Sequence, residues 1–378
     1  DWMVSLVEGF QAEIPGVTVE VERFEFEVYR DAIVTALSSG EGVPDVVTLD
    51  PMWAGDLIRD GAMSPLEGIE EQANPADYVA GGWELCGYAG VQYGLPADLD
   101  FNVVFYRTDI WGPAIEEAGL DAFPANTEDF IRVAQMISTD EQKAVLLAQQ
   151  DYYGFYQGFM TPYNARLTNP EGTEYTFNSP EAVEALTLYN DLVNTYGVAR
   201  LWDETADGPT INAVKNGEVA AVLYGSWFIS DLSSSAPEME GLWGVAPLPF
   251  GPVDRTYHAG VGGACFSIPS ASQNQEMARE FLLYMQRPEV MATYFDIVGG
   301  VPALQTAWEY MDMSGVNEYL GVPLAQLIAD WSSGVRGMEL PSAEVADALG
   351  QAIYQVTVEG VSPQQALDDA VANSPDLQ

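Results

Sequence analysis

The clearest chemical signal in the chain is a pair of aromatic residues delivered at the end of a strand. The stretch NGEVAAVLYGSW, residues 216–227, opens on Asn216-Gly217, a turn pair that tolerates positive φ. The apolar run Val219 to Leu223 reads as a buried strand. It ends in Tyr224-Gly225-Ser226-Trp227, where a glycine clears space between two rings. In open α/β sheets, ligands lie beyond the carboxyl ends of strands, so a ring placed there can stack on the apolar face of a small molecule. The competing reading makes Tyr224 and Trp227 core or rim aromatics. A second strand end, PDVVTLD at 44–50, delivers Asp50, with Trp53 just beyond it. Asp50 equally suits the N-cap of the helix that follows. Rings and carboxylates together suit a cationic ligand or a neutral polyhydroxylated one. On the neutral ligand the rings cover its C–H faces, and carboxylates, amides and guanidinium groups bind its hydroxyls.

Bond-making chemistry finds less support. The chain shows no nucleophile elbow, phosphate loop or zinc motif. It has one histidine, His258, around which any histidine-based site would have to be built. Cys86 and Cys265 match no metal spacing and sit in strand-like contexts. Two buried thiols are expected, with one disulfide as the alternative for an exported chain. No metal and no cofactor are expected. A carboxylate pair such as Asp50 and Asp100 could serve a glycosidase, but among 57 acids some pair falls at a catalytic separation by chance.

The charge is extreme. Thirteen Lys+Arg face 57 Asp+Glu, a net of −44. Nucleic acid and anionic membranes are therefore disfavoured as partners. The acids are dispersed, which favours a solvated acidic shell suited to high salt over a cationic ligand. At 378 residues the chain is too long for one ordinary core, and two domains are expected. No apolar run is long enough to span a bilayer. The opening Asp1-Trp2-Met3 falls inside an apparent helix, which points to removal of an upstream segment.

The elements that would position these residues alternate between strand and helix. Residues 1–14 read as a helix, and Val17, Val19 and Val21 as a half-buried strand. A helix over 29–39 stops at Gly40, the strand 44–50 follows, and a helix over 51–60 stops at Gly61. Residues 87–95 have strand or hairpin spacing and lead, through Pro96, into Val103-Val104-Phe105-Tyr106. Thr127 is expected as the N-cap of the helix ending at Ile137, and Ser179-Pro180 opens a helix closed by Gly197. Residues 243–250 and 260–269 read as strands. Capping boxes at Ser272/Gln275 and Ser362/Gln365 open two late helices. The alternation predicts mainly parallel sheets flanked by helices.

Read in order, these pieces resemble the family 1 extracellular solute-binding proteins of ABC importers, the group that includes maltose and trehalose binders. The matching stretches are the first helix into Phe10 and Ile14-Pro15-Gly16-Val17, PDVVTLDPMW (44–53) and GLPADLDFNVVFYRTDI (94–110). They continue with FNSPEAVEALTLYNDLV (177–193), NGEVAAVLYGSW, GVGGACFSIPSASQNQEMAREFLLYMQRPEV (260–290), GGVPAL (299–304) and SPQQALDDA (362–370). No one of them is specific, but their order over the whole chain is. Members normally begin with a strand and a polar turn before the first helix, and neither is present at the start of this chain.

The resemblance implies an α/β type II periplasmic-binding-protein fold of two lobes that trap a ligand. By analogy the amino-terminal lobe takes 1–102 and 256–306, and the carboxyl-terminal lobe 103–255 and 307–378. It implies binding of a sugar or sugar derivative by hinge closure and delivery to membrane permease subunits, without catalysis. An extracytoplasmic, monomeric protein is expected. The same fold around a cationic solute, such as a polyamine, is the alternative. Asp100 falls where relatives carry a ligand-binding acid, with Asp98 as its neighbour; a solvated acid is the plainer reading. Trp227 matches the family's stacking tryptophan. Gly262 and Gly263 match a double glycine whose backbone N–H groups can approach a ligand. Arg336 matches an arginine that reaches the site in some disaccharide binders, or is a surface arginine. Trp243, Tyr257 and His258 are weaker candidates, His258 fitting an ordinary loop histidine. Trp202 and Trp331 read as core or rim.

Overall fold

The computed structural model describes residues 2–169, 172–298, 300–332 and 334–375. Asp1, and Gly299 of the 299–304 stretch, lie outside them. The chain divides into two compact units. Unit 1 comprises Asp1–Asp100, Gly262–Asp312 and Gly337–Ser342, and unit 2 comprises Phe101–Val261, Met313–Arg336 and Ala343–Gln378. Residues 307–312 and 337–342, expected with the carboxyl-terminal lobe, fall in unit 1, and residues 101–102 and 256–261, expected with the amino-terminal lobe, fall in unit 2.

Unit 1 is built on a three-stranded sheet in the order Val47–Leu49, Cys265–Ser267, Gly94–Pro96. Both pairings are antiparallel, with Leu49 opposite Cys265 and Cys265 opposite Pro96. The expectation of a mainly parallel sheet is corrected here. The central strand comes from the chain's return after residue 261, so it enters against its neighbours instead of through a local strand–helix–strand crossover. The alternating Val17–Val21 stretch forms no strand. Its valines are half-buried or exposed, and Val19 N–H donates to Gln11 Oε1 at 2.9 Å, a side chain where a ladder partner would be. Helix Trp2–Glu13 packs its apolar face on the late helices Gln275–Met285 and Pro288–Val298. Phe10 meets Phe281 edge-on at 4.9 Å, and Trp2 meets Tyr294 edge-on at 4.9 Å. Cys86 and Cys265 are joined in a disulfide with Cα atoms 5.7 Å apart, where two thiols were expected. Sequence distance, 179 residues, hid a neighbourhood that the return of the chain creates.

Unit 2 carries a mixed sheet in the order Val335–Gly337, Ala259–Gly262, Asp98–Arg107, Ala221–Gly225, Val145–Ala148, Ala199–Trp202. Val145–Ala148 runs parallel to both of its neighbours, whereas Asp98–Arg107 runs antiparallel to Ala221–Gly225 and to Trp243–Ala246. A parallel half produced by crossovers therefore abuts an antiparallel half. Aromatic rings fill the core: Phe159 stacks on Phe250 at 4.6 Å, and Trp111 meets Phe123 at 4.8 Å.

Local signals decide most element ends. Gly40 and Gly61 stop their helices in the left-handed region, at φ 69° and 70°. Ser179 and Ser362 cap their helices as expected, accepting from the N–H groups of Ala182 and Gln365. At 127 the cap moves by one residue. Asn126 accepts from Asp129 N–H at 2.9 Å, while Thr127 Oγ1 donates to the carbonyl of Pro249. Ser272 forms no standard box, because its helix starts at Gln275 with Asn274 at the N-cap position; its Oγ donates to Asp45 and accepts from Asn274 N–H at 3.1 Å. Helix Tyr152–Phe155 passes into a π-helical turn over Tyr156–Met160, every residue of which is buried. Among the described residues, no helix is long and apolar enough to cross a membrane.

Candidate functional site

In unit 2 the aromatic signal forms a platform. Strand Ala221–Gly225 places Tyr224 opposite Val103 and Gly225 opposite Asn102. Trp227 then starts the turn into helix Phe228–Ser235. A methyl group on Gly225 would overlap the six-membered ring of Trp227, so the indole lies directly over the bare Cα. The glycine serves close approach, not positive φ. Trp227 remains 41% exposed, unusual for so large an apolar side chain. Tyr224 braces it edge-on at 5.7 Å and contacts Phe228 at 4.9 Å. Burial, followed by the charges of Glu204, Asp151 and Asp231, pushes the Tyr224 phenol well above its ordinary range. It stays a neutral hydroxyl at any physiological pH. Ser226 Oγ accepts from Phe101 N–H at 3.4 Å and ties the turn to the sheet.

In unit 1 three acids gather. Asp50 ends strand Val47–Leu49, and its carbonyl accepts from the N–H groups of Trp53 and Ala54 at the start of the next helix. Asp98 and Asp100 sit two residues apart on strand Asp98–Arg107. They differ sharply in partners. Asp98 accepts from Ala264 N–H at 2.9 Å and from Tyr294 OH at 2.8 Å. Burial nonetheless raises its pKa, the two hydrogen bonds working against the shift. Asp100 receives no hydrogen bond from a described residue. Burial, then the charges of Asp98 and Asp50, hold its carboxyl well above the usual carboxylate range. Asp100 is a carboxyl kept in place without a donor among the described residues. Among the described residues, no group of three or more His, Cys, Asp or Glu side chains is arranged to hold a metal ion.

Gly263 serves the Asp98 clamp. Its φ is 136°, and a methyl group there would collide with the carbonyl of Asp98. Gly262, the last residue of strand Ala259–Gly262, is buried. Arg336 is no surface arginine. At 8% exposed, it donates through Nη2 to Ala165 O at 2.5 Å and Thr161 Oγ1 at 3.4 Å. Through Nη1 it reaches Asn164 Oδ1 at 3.2 Å. Its guanidinium lies over the Tyr257 ring at 5.4 Å. It fastens the segment after the π-helical turn, and only its buried Nε–H lacks a partner among the described residues. His258 N–H donates to Gly334 O at 2.6 Å, and His258 Nδ1 accepts from Arg255 Nε at 3.2 Å. Burial, then the Arg255 charge, lowers its pKa, as suits a neutral loop histidine.

Two candidates move into the packing. Trp53 is buried, its ring edge-on to Tyr29 at 6.0 Å, because the helix it opens turns that face inward. Trp243 is 1% exposed, since the strand Trp243–Ala246 is covered on its side of the sheet. Trp202 and Trp331 are buried too. One residue escaped the sequence reading. Asn102 interrupts an otherwise apolar run on strand Asp98–Arg107, and its side-chain oxygen is buried without a partner among the described residues. An amide inside a buried strand was the available signal.

With this geometry in place, the comparisons are decisive for family. The family model for bacterial extracellular solute-binding proteins matches residues 1–292. The chain belongs to that family. A relative, the arabinooligosaccharide-binding protein of Halalkalibacterium halodurans, is 20% identical over 389 residues, covering 98% of this chain and 85% of that protein. Among solved structures, the sugar-binding protein MalE from Xanthomonas citri has a TM-score of 0.80 at 23% identity, covering 98% of this chain and 92% of that one. A cyclo/maltodextrin-binding protein complexed with maltotetraose has a TM-score of 0.77 at 22% identity, covering 98% and 91%. The fold is thus that of the type II solute-binding proteins, α/β throughout, with mixed sheets.

Proposed function

We propose that this solute-binding protein captures a neutral sugar or oligosaccharide outside the cytoplasm and hands it to the membrane subunits of an ABC permease. The observation that carries the reading is the exposed indole of Trp227 seated on Gly225, a flat apolar surface held rigidly at a strand end. Each unit by itself offers groups that can bind hydroxyls: Tyr224 and the Arg336 Nε–H, which has no partner among the described residues, in unit 2, and Asp100 and Asp50 in unit 1. In unit 1, Asp98 and Gly263 fix the backbone next to Asp100. The relatives and neighbours named for arabinooligosaccharide, sugar and maltotetraose support the carbohydrate class. The Cys86–Cys265 disulfide supports an oxidising compartment. Capture proceeds by a ligand-driven population shift to a closed form, as in hinge-closing binding proteins, and no bond is made or broken.

The test is a mass spectrum of ligand released from the purified protein on denaturation. A calorimetric titration against maltotriose, arabinotriose, diacetylchitobiose, spermidine and choline accompanies it. A bound saccharide, or binding confined to the sugars, is expected. Binding of the amines alone overturns the carbohydrate reading.

A further inference from the structure

Asn102 is 5% exposed, and its Oδ1 has no hydrogen-bond partner among the described residues. Buried amide oxygens are almost always satisfied, because an unmade hydrogen bond in a low-dielectric interior carries the full desolvation cost. In native proteins such a group is completed by an ordered water, an ion or a ligand. The register says where this one lies. Asn102 stands directly opposite Gly225 in an antiparallel pair. Residues so paired project from the same face of the sheet, with Cβ positions about 5 Å apart. The Cβ direction of Gly225 points into the ring of Trp227. The amide of Asn102 and the indole of Trp227 therefore share one face of one strand pair. The other side of the amide is bounded by the π-helical turn: a methyl group on Gly158 would lie 3.9 Å from Asn102 Nδ2 and 3.6 Å from Leu248. Substitution of that glycine would meet only ordinary contact, so the amide is not wedged there by crowding. Among the described residues, no side chain of the platform gives Asn102 a donor.

We propose that Asn102 is a ligand-binding residue of unit 2, whose amide oxygen accepts a hydroxyl hydrogen from the sugar that stacks on Trp227. The inference rests on the carbohydrate reading above and makes it more specific. The ring recognises an apolar face of the sugar, and the amide recognises a hydroxyl at that sugar's edge. A site built to receive a hydroxyl discriminates against an analogue that lacks it, because the buried acceptor is then left unpaired. Asn102 would thus be a specificity determinant for a deoxygenated analogue of the bound saccharide.

The test pairs two readouts on Asn102→Leu, of similar volume and without polar atoms, and on Asn102→Asp, which keeps an oxygen acceptor. The first readout is thermal unfolding of the ligand-free protein, which needs no knowledge of the ligand. Asn102→Leu is expected to melt at or above the wild-type temperature, since it removes an unpaired polar atom and no hydrogen bond. A melt several degrees lower shows a structural amide and overturns the proposal. The second is calorimetric affinity for whichever of maltotriose, arabinotriose and diacetylchitobiose the wild type binds. Loss of one hydroxyl contact predicts about tenfold weaker binding for Asn102→Leu, with Asn102→Asp closer to wild type. Equal affinity of Asn102→Leu and wild type overturns the Asn102 assignment alone and leaves the carbohydrate reading standing. A wild type that binds amines and none of the sugars overturns the carbohydrate reading, and the hydroxyl assignment with it.

Discussion

The seat of Trp227 on Gly225 allows a test that leaves every atom of the tryptophan in the protein. Gly225 is in ordinary strand conformation, so alanine fits its backbone without strain. The added methyl group would nonetheless occupy the space of the six-membered ring of Trp227, and the indole must swing away. A tryptophan presents roughly 250 Å² when free, so 41% exposure leaves about 100 Å² for a ligand to cover. At about 25 cal/mol per Å², full coverage contributes up to about 2.5 kcal/mol, and coverage of most of one face about 2 kcal/mol. Trp227→Ala is therefore expected to weaken sugar binding about thirtyfold. Gly225→Ala should lose a comparable factor although it deletes nothing. The assay is calorimetry on the sugar identified by mass spectrometry, with thermal melts of each ligand-free variant to confirm folding. If Gly225→Ala binds with the wild-type Kd, the indole is not the platform, and the reasoning from its seat fails.

Asp100 supplies a pH prediction. Its folded pKa is raised by burial and by neighbouring acids, so its ionised form opposes folding. The stability it allows is fully present below the unfolded carboxylate pKa and is lost as pH rises through the raised folded value. Asp100→Asn should therefore raise the melting temperature of the ligand-free protein at pH 7–8, and that gain should vanish on acidification to about pH 4. A gain that persists unchanged at the acid end would refute the assignment of the cost to ionised Asp100. The disulfide closes a loop of 179 residues, for which chain entropy sets a ceiling near 5 kcal/mol. Cys86→Ser with Cys265→Ser should lower the melting temperature by several degrees, and an unchanged melt under calorimetry would count against the link. With a net charge of −44, added salt should raise the melting temperature between low and molar concentration. A flat or falling curve would remove the salt-adapted reading.

The sequence made legible those features that depend on neighbours in the chain. Gly40 and Gly61 stop helices because only the local backbone decides them. The strand leading to Trp227 could be read because a turn pair, an apolar run and a glycine lie within twelve residues. What depended on distant segments was not legible. The antiparallel sheet of unit 1 requires a strand that returns after residue 261, and the Cys86–Cys265 pairing follows from that return. Val17–Val21 alternates like a strand yet finds no ladder, since periodicity reports a preference and pairing needs a partner. Trp53 and Trp243 look like Trp227 in sequence, and only their packing separates core from platform. Arg336 could be placed at a site from its motif, but its hold on Ala165 and Asn164 is a long-range fact.

The two neighbouring acids of unit 1 differ in how they are held. Asp98 has two donors, from Ala264 and Tyr294, and the positive φ of Gly263 brings the backbone close enough for that clamp. A carboxylate so satisfied has little left to offer a ligand. Asp100, two residues on, has the burial and the repulsion without the donors. A half-buried acid crowded by two others and without a donor among the described residues costs free energy, and asparagine would cost less. Its retention makes physical sense where a ligand hydroxyl supplies the missing donor, since the relief of that cost then appears as affinity. On the proposed reading, Asp100 and Asn102, each in its own unit, follow one device: an acceptor open in the protein that a hydroxyl-bearing solute closes. The device also predicts a trade-off: substitutions that close these acceptors from within should stabilise the empty protein and weaken its grip on sugar together. A variant set in which ligand-free melting temperature and affinity rise together would contradict it.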